Sequence, residues 1–188
     1  DKFRQLEEVL PTPNTIRNAA GAPGHAYWQQ RADYTIRARL DEANRSIIAT
    51  ETVTYHNNSP DTLSYLWIQL DQNIFQPGSD ARTTSTVTSR EAWAKARTEE
   101  DGMKFDGMRS LLEARTFEGG FKIGGVKSSS GQPLKYTINK TMMRIDLPQP
   151  MKPGSRFTFD IDFGYNINEA KVMGGRTGYE KFDEDKND

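Results

Sequence analysis

The sequence predicts a mostly β, antiparallel sandwich domain with a short amino-terminal helix or arm and one long, partly helical excursion. Three observations predict it. Several segments alternate apolar and polar residues with period two, most cleanly at Phe157, Phe159, Ile161 and Phe163. Clusters of turn formers, "DEAN", "NNSPD" and "QPMKPGS", separate such segments. Between residues 71 and 117 the alternation disappears, and "TSREAWAKAR" has helical character instead.

In "DKFRQLEEVLP", Phe3, Leu6, Val9 and Leu10 recur at helical spacing and Pro11 closes the segment, which predicts a short amphipathic helix or arm. Residues 11–25 concentrate Pro, Gly, Asn and Ala and read as an extended linker. From Tyr34 the period changes. Tyr34, Ile36, Ala38 and Leu40 alternate with Asp33, Thr35, Arg37 and Arg39, a half-buried strand with a charged outer face. After "DEAN", the β-branched run "RSIIATETVTYHN" places Ile47, Ala49, Val53 and Tyr55 on one face and Thr50, Thr52, Thr54 and His56 on the other. The two strands are expected to pair as a hairpin. "NNSPD" is read as the next hairpin turn, and "LSYLWIQL", apolar on both faces, as a buried third strand.

The excursion, residues 76–117, carries Thr88 and Glu91 at capping-box spacing ahead of Trp93, which predicts a short helix. An insertion of that length between strands is uncommon in a compact domain and is often functional. Strands resume at "FKIGGVKS", "LKYTINKTMMRIDL" and "SRFTFDIDFGYNI". The organisation expected is an arm over 1–30, a β domain over 31–167 with 76–117 inserted, and a charged tail over 168–188 that looks interrupted.

A chain of 188 residues suits one good core with an excursion, and 35 % hydrophobic with 27 % charged residues is polar but foldable. Lys and Arg number 25 against 26 Asp and Glu, so no bulk charge favours nucleic acid or an anionic membrane. No run approaches the roughly 18 apolar residues of a membrane helix. Cysteine is absent, which excludes disulfides, thiolate nucleophiles and thiolate-bound zinc. The start at Asp1 rather than Met fits removal of an upstream export signal, and a periplasmic or extracellular location is the expectation.

Candidate chemistry is thin. His56 sits where the second strand runs into its turn, with Glu51 on the opposite face and Asp61 beyond the turn; His25 is the only other imidazole, and a zinc site needs three or four converging ligands. A strand-end histidine is the better reading. "DQN", Asp71 to Asn73, opens like a calcium loop yet lacks the Gly and Glu that an EF-hand requires, so a strand-terminating turn is expected. "GGRTGYE", Gly174 to Glu180, lacks the Gly-Lys-Ser/Thr ending of a phosphate loop and reads as a flexible loop. Glu99, Glu100 and Asp101 look solvated rather than poised for acid–base work. Trp28, Trp67 and Trp93 could form a carbohydrate platform, although two of the three are explained as core or linker anchors. Asn44, Asn57 and Asn139 head N-x-S/T triplets, acceptors only in a eukaryotic secretory setting.

From Tyr27 to Phe75 the chain resembles the amino-terminal domain of aminopeptidase-N-type zinc metallopeptidases, the gluzincins of peptidase family M one. The resemblance rests on a composite: a strand after an extended arm, Glu51, Tyr55 and Asn57 in a Glu-x-x-x-Tyr-x-Asn pattern, and a Leu-rich strand ending in "LDQN". It looks like a bacterial, exported branch in which "NNSPDTLSYLWIQLDQN" and a later "GGRTGYE" both occur. The resemblance implies a saddle-like β domain packed beside a catalytic domain that binds zinc through His-Glu-x-x-His. That motif does not occur in this sequence, so no catalytic, cofactor or metal residue carries over. The implied role is non-catalytic: to wall the cleft that admits peptide substrates, dock the following domain, and associate through whatever apolar surface that neighbour would cover. A stand-alone β-sandwich module for protein or glycan, and a small metal hydrolase using His25 and His56, are the rivals.

Overall fold

The computed structural model describes residues 13–84, 97–98, 102–103, 112–173 and 177–180. Among these residues nine strands follow in chain order: β1 (Arg31–Asp41), β2 (Ser46–His56), β3 (Leu63–Gln69), β4 (Arg97–Thr98), β5 (Gly102–Met103), β6 (Lys122–Ser128), β7 (Tyr136–Asn139), β8 (Met142–Met151) and β9 (Arg156–Asn166). All pairings between them are antiparallel. One sheet has the order β1-β2-β9-β6 and a second the order β3-β8-β7, while β4 and β5 form a two-stranded ribbon. The mostly β, antiparallel two-sheet fold is therefore as the sequence predicts.

Alternation decides which face each strand buries. In β2 and β9, Val53 stands opposite Phe159, and Ala49 opposite Phe163, on the inner face. Thr50, Thr52 and Thr54 stand opposite Asp162, Asp160 and Thr158 on the outer face. There Thr50 Oγ1 donates to Asp162 Oδ1 at 2.8 Å and Thr52 Oγ1 to Asp160 Oδ1 at 2.5 Å, so the polar face is also cross-linked strand to strand. The core joins both sheets: Val53, Val126, Phe159 and Ile161 from the first meet Leu66, Met143 and Ile145 from the second, with Leu70 and Leu134 from the connections. Phe121 adds edge-on ring contacts to Phe163 and Tyr165, each with centroids 5.4 Å apart.

Four expectations are corrected. "NNSPD" is not a hairpin turn, because β2 pairs with β1 and β9 whereas β3 pairs with β8; the segment carries the chain from one sheet to the other. The third strand is not buried on both faces. Leu66 and Leu70 reach the core, but Tyr65 and Trp67 lie on the outer face of the small sheet, exposed, and among the described residues no third layer covers it. "LKYTINKTMMRIDL" is two strands, β7 and β8, folded back at Lys140 and Thr141, with Asn139 opposite Met142 and Lys140 at a φ of 56°. Finally, residues 13–25 are not extended. Asn14 and Asn18 side chains accept from backbone N–H groups of Ile16, Arg17, Ala20 and Ala22, and Gly24 N donates to Ile16 O, curling the segment on itself. The helices expected at residues 1–10 and around Thr88 and Glu91 lie outside the described residues.

Phe159 is completely buried at the centre of this core. Replacing it with Ala is expected to cost about 3–5 kcal/mol of unfolding free energy, measured by urea denaturation.

Candidate functional site

His56 ends β2 on the outer face, and its Nε2 lies 2.9 Å from Asp33 Oδ2. Arg31 Nε donates to the other carboxylate oxygen at 2.9 Å. The Arg31 guanidinium, aided by His56, holds the Asp33 carboxyl below the usual carboxylate range. Glu51 belongs to the opposite face of the same strand, as the alternation requires, and Asp61 contributes its backbone carbonyl to Asn57 rather than a carboxylate to His56. His25 is exposed in the curled arm. These donors do not converge. Among the described residues, no group of three or more His, Asp or Glu is placed to hold a metal ion.

"DQN" opens a 3-10 helix, Asp71–Phe75, directly after β3. Asn73 is buried there, its Nδ2 donating to Lys140 O at 2.7 Å and its Oδ1 accepting from Phe121 N at 2.8 Å. Its side chain thus serves two strand ends. Of "GGRTGYE", residues 177–180 are described, and they are tied down rather than flexible. Arg45 donates to Tyr179 Oη at 2.6 Å and stacks on its ring, and Tyr179 Oη donates to Glu169 at 3.0 Å. Gly178 has a φ of 148°, and a Cβ there would fall 2.7 Å from Asn168 O, so this approach requires glycine. Glu99, Glu100, Asp101 and Trp93 lie outside the described residues.

The stems of the excursion are joined by Arg82. Its guanidinium donates to the carbonyls of Phe75, Ala114, Arg115 and Phe117, the last three at the carboxyl end of the helical turn over 112–116. A cation at a helix carboxyl terminus satisfies carbonyls that the helix itself leaves unpaired.

Asn57, read from sequence as a glycosylation triplet, is fully buried, and its amide is used entirely within the fold. Asn44 instead donates to Asp41 at the β1–β2 turn. The tryptophans part company: Trp67 is 51 % exposed and meets Tyr65 edge-on at 6.2 Å, while Trp28 is 38 % exposed. Arg144 lies over the Tyr65 ring at 4.2 Å and donates to Asp146 at 2.8 Å, which gives this face an aromatic pair beside charged groups.

The most open apolar surface is the inner face of β1. Tyr34, Ile36 and Leu40 are 58 %, 56 % and 55 % exposed. They share a face with buried Val53 and Ala49, but the second sheet does not extend over them. Within this face stands Glu51, between Ile36 on β1 and Ile161 on β9. Partial burial pushes its carboxyl above the usual range. Period two already puts Glu51 in line with Ala49 and Val53, but the sequence does not show that this part of the face lies open.

The chain matches no protein-family model and no curated protein. Among the described residues, no helix is long and apolar enough to cross a membrane.

A carboxyl whose value is raised on folding binds its proton more tightly in the folded state, so its contribution to stability falls as pH rises from the ordinary value near 4.5. Glu51→Gln removes that dependence. Thermal unfolding from pH 4 to pH 7 should show wild type losing stability relative to Glu51→Gln as pH rises, with the variant the more stable at pH 7.

Proposed function

We propose that this chain is the non-catalytic amino-terminal β domain of an exported, zinc aminopeptidase-like metallopeptidase, lining one wall of the substrate cleft and docking the catalytic domain that follows. The observation that carries this reading is the uncovered inner face of β1, where Tyr34, Ile36 and Leu40 continue the surface of the core beyond the reach of the second sheet. An apolar strip of this kind suits a neighbouring domain, and Glu51 within it would prefer a hydrogen-bond donor on whatever covers it. The composite of Glu51, Tyr55, Asn57 and "LDQN" supports the same reading from sequence. The imidazoles and carboxylates described above do not fit a zinc ion, so zinc, peptide hydrolysis and the general base belong to the neighbouring domain in this proposal.

A second reading, a stand-alone module for protein or glycan, is favoured by one observation: the exposed pair Tyr65 and Trp67 beside Arg144 and Asp146. The two readings separate in the reading frame itself. Translation beyond Asp188 is expected to reveal His-Glu-x-x-His with a downstream Glu within a few hundred codons. A stop codon immediately after Asp188 would contradict the proposal and leave the module.

A further inference from the structure

The free edge of β1 has a pattern that its face does not explain. Among the described residues, β1 closes one side of its sheet, pairing only with β2, so one row of its backbone N–H and C=O groups faces outward along 11 residues. Natural edges of this length are usually blunted by proline, a bulge, charged side chains or an inward lysine. β1, "RADYTIRARLD", has no proline, bulge or inward lysine and pairs with β2 in unbroken register, and its charges on the outer face are of both signs.

We propose that this edge pairs with the same edge of a second copy of the chain, antiparallel about a two-fold axis through Ile36, joining two four-stranded sheets into one of eight. The occupant is identified by charge complementarity. Pairing about Ile36 sets Arg31 opposite Asp41 of the second copy, and Asp33 opposite Arg39 of the second copy, on the outer face. Each pair occurs twice by symmetry. On the inner face it sets Ala32 opposite Leu40 and Tyr34 opposite Ala38, small against large, with Ile36 meeting itself on the axis.

The neighbouring registers fail on charge. Centring on Arg37 would place that residue against its own copy and Asp33 against Asp41. Centring on Thr35 would pair Asp33 with Arg37 but place Arg31 against Arg39, so that attraction and repulsion cancel. A shift by a single residue would send each apolar side chain to the polar face.

Within one chain the charges are already arranged for this closure. Asp33 holds Arg31 and His56, and Asp41 accepts from Asn44 beside Arg39. Addition of the second strand therefore completes a ring of alternating sign at each end of the ladder. The association uses the edge of β1, whereas docking of a catalytic domain uses its face, so neither depends on the other.

The test is sedimentation velocity on the 188-residue chain, with circular dichroism to verify that each variant is folded. Wild type should dimerise with a dissociation constant on the order of 10 μM, as suits a small interface. Arg39→Asp, which sets a carboxylate against Asp33 of the other copy at each end, should weaken association at least about tenfold. Ile36→Lys, which brings two ammonium groups together on the axis, should do the same. The charge swap Asp33→Arg with Arg39→Asp should restore most of it. A wild-type chain that stays monomeric at roughly 1 mM overturns the proposal. So does a dimer indifferent to Arg39→Asp and Ile36→Lys, or a folded charge-swap variant that fails to reassociate.

Discussion

The fold depends on one buried amide, that of Asn57. Among the described residues the chain changes sheet four times, after β2, between β3 and β6, after β6 and after β8, and the first and last of these crossings meet at this residue. Its Nδ2 donates to Asp61 O at 2.7 Å and to Met151 O, the end of β8, at 3.1 Å. Its Oδ1 accepts from Ser59 Oγ at 2.6 Å and from Gln30 Nε2 of the arm at 3.1 Å. Its backbone N–H donates to Ser155 O, and its carbonyl accepts from Gly154 N. No apolar residue could occupy this point, because the surrounding carbonyls and hydroxyl would lose their partners where water does not reach. Asn73 and Asn168 repeat the device, each buried at a place where a connection leaves a strand. Buried asparagines at the corners and aromatic and aliphatic side chains between the sheets divide the work: the first fix direction, the second supply the hydrophobic term.

This division explains where the molecule is open. Among the described residues the second sheet has three strands and the first has four, and the core that joins them reaches β1 only at Ala32, leaving Tyr34, Ile36 and Leu40 uncovered. The open face of β1 and its free edge follow from the same mismatch in sheet width. One suits a neighbouring domain and the other a second copy of the chain. Among the described residues the imidazoles and Glu51 lie on separate surfaces, with His56 outward, Glu51 inward and His25 in the arm.

Much of the fold was legible in the sequence. Phe157 to Phe163 and Val53 declare their faces by period two, and the polar partners Thr50, Thr52 and Thr54 declare the other. What was not legible is which sheet a strand joins. "NNSPD" contains the turn formers of a hairpin, and nothing local distinguishes a hairpin from a crossing between layers; the difference lies in Asn57 reaching Met151, 94 positions away. Tyr65 and Trp67 misled for a related reason, since an apolar run looks the same whether or not a third layer exists to cover it. Arg82 was invisible because its four carbonyl partners are assembled only when the two stems of the excursion meet. The charge order of β1 was fully present in the sequence, yet its meaning requires knowing that β1 is an edge.

The account stands most directly on the unfolding free energy of Asn57→Ala in urea. Loss of the side-chain anchors at the first and last sheet crossings and of the arm contact predicts destabilisation of at least about 3 kcal/mol. A loss below about 1 kcal/mol, within the range of an ordinary surface substitution, would show that the two sheets are held in place without this amide and would contradict the account.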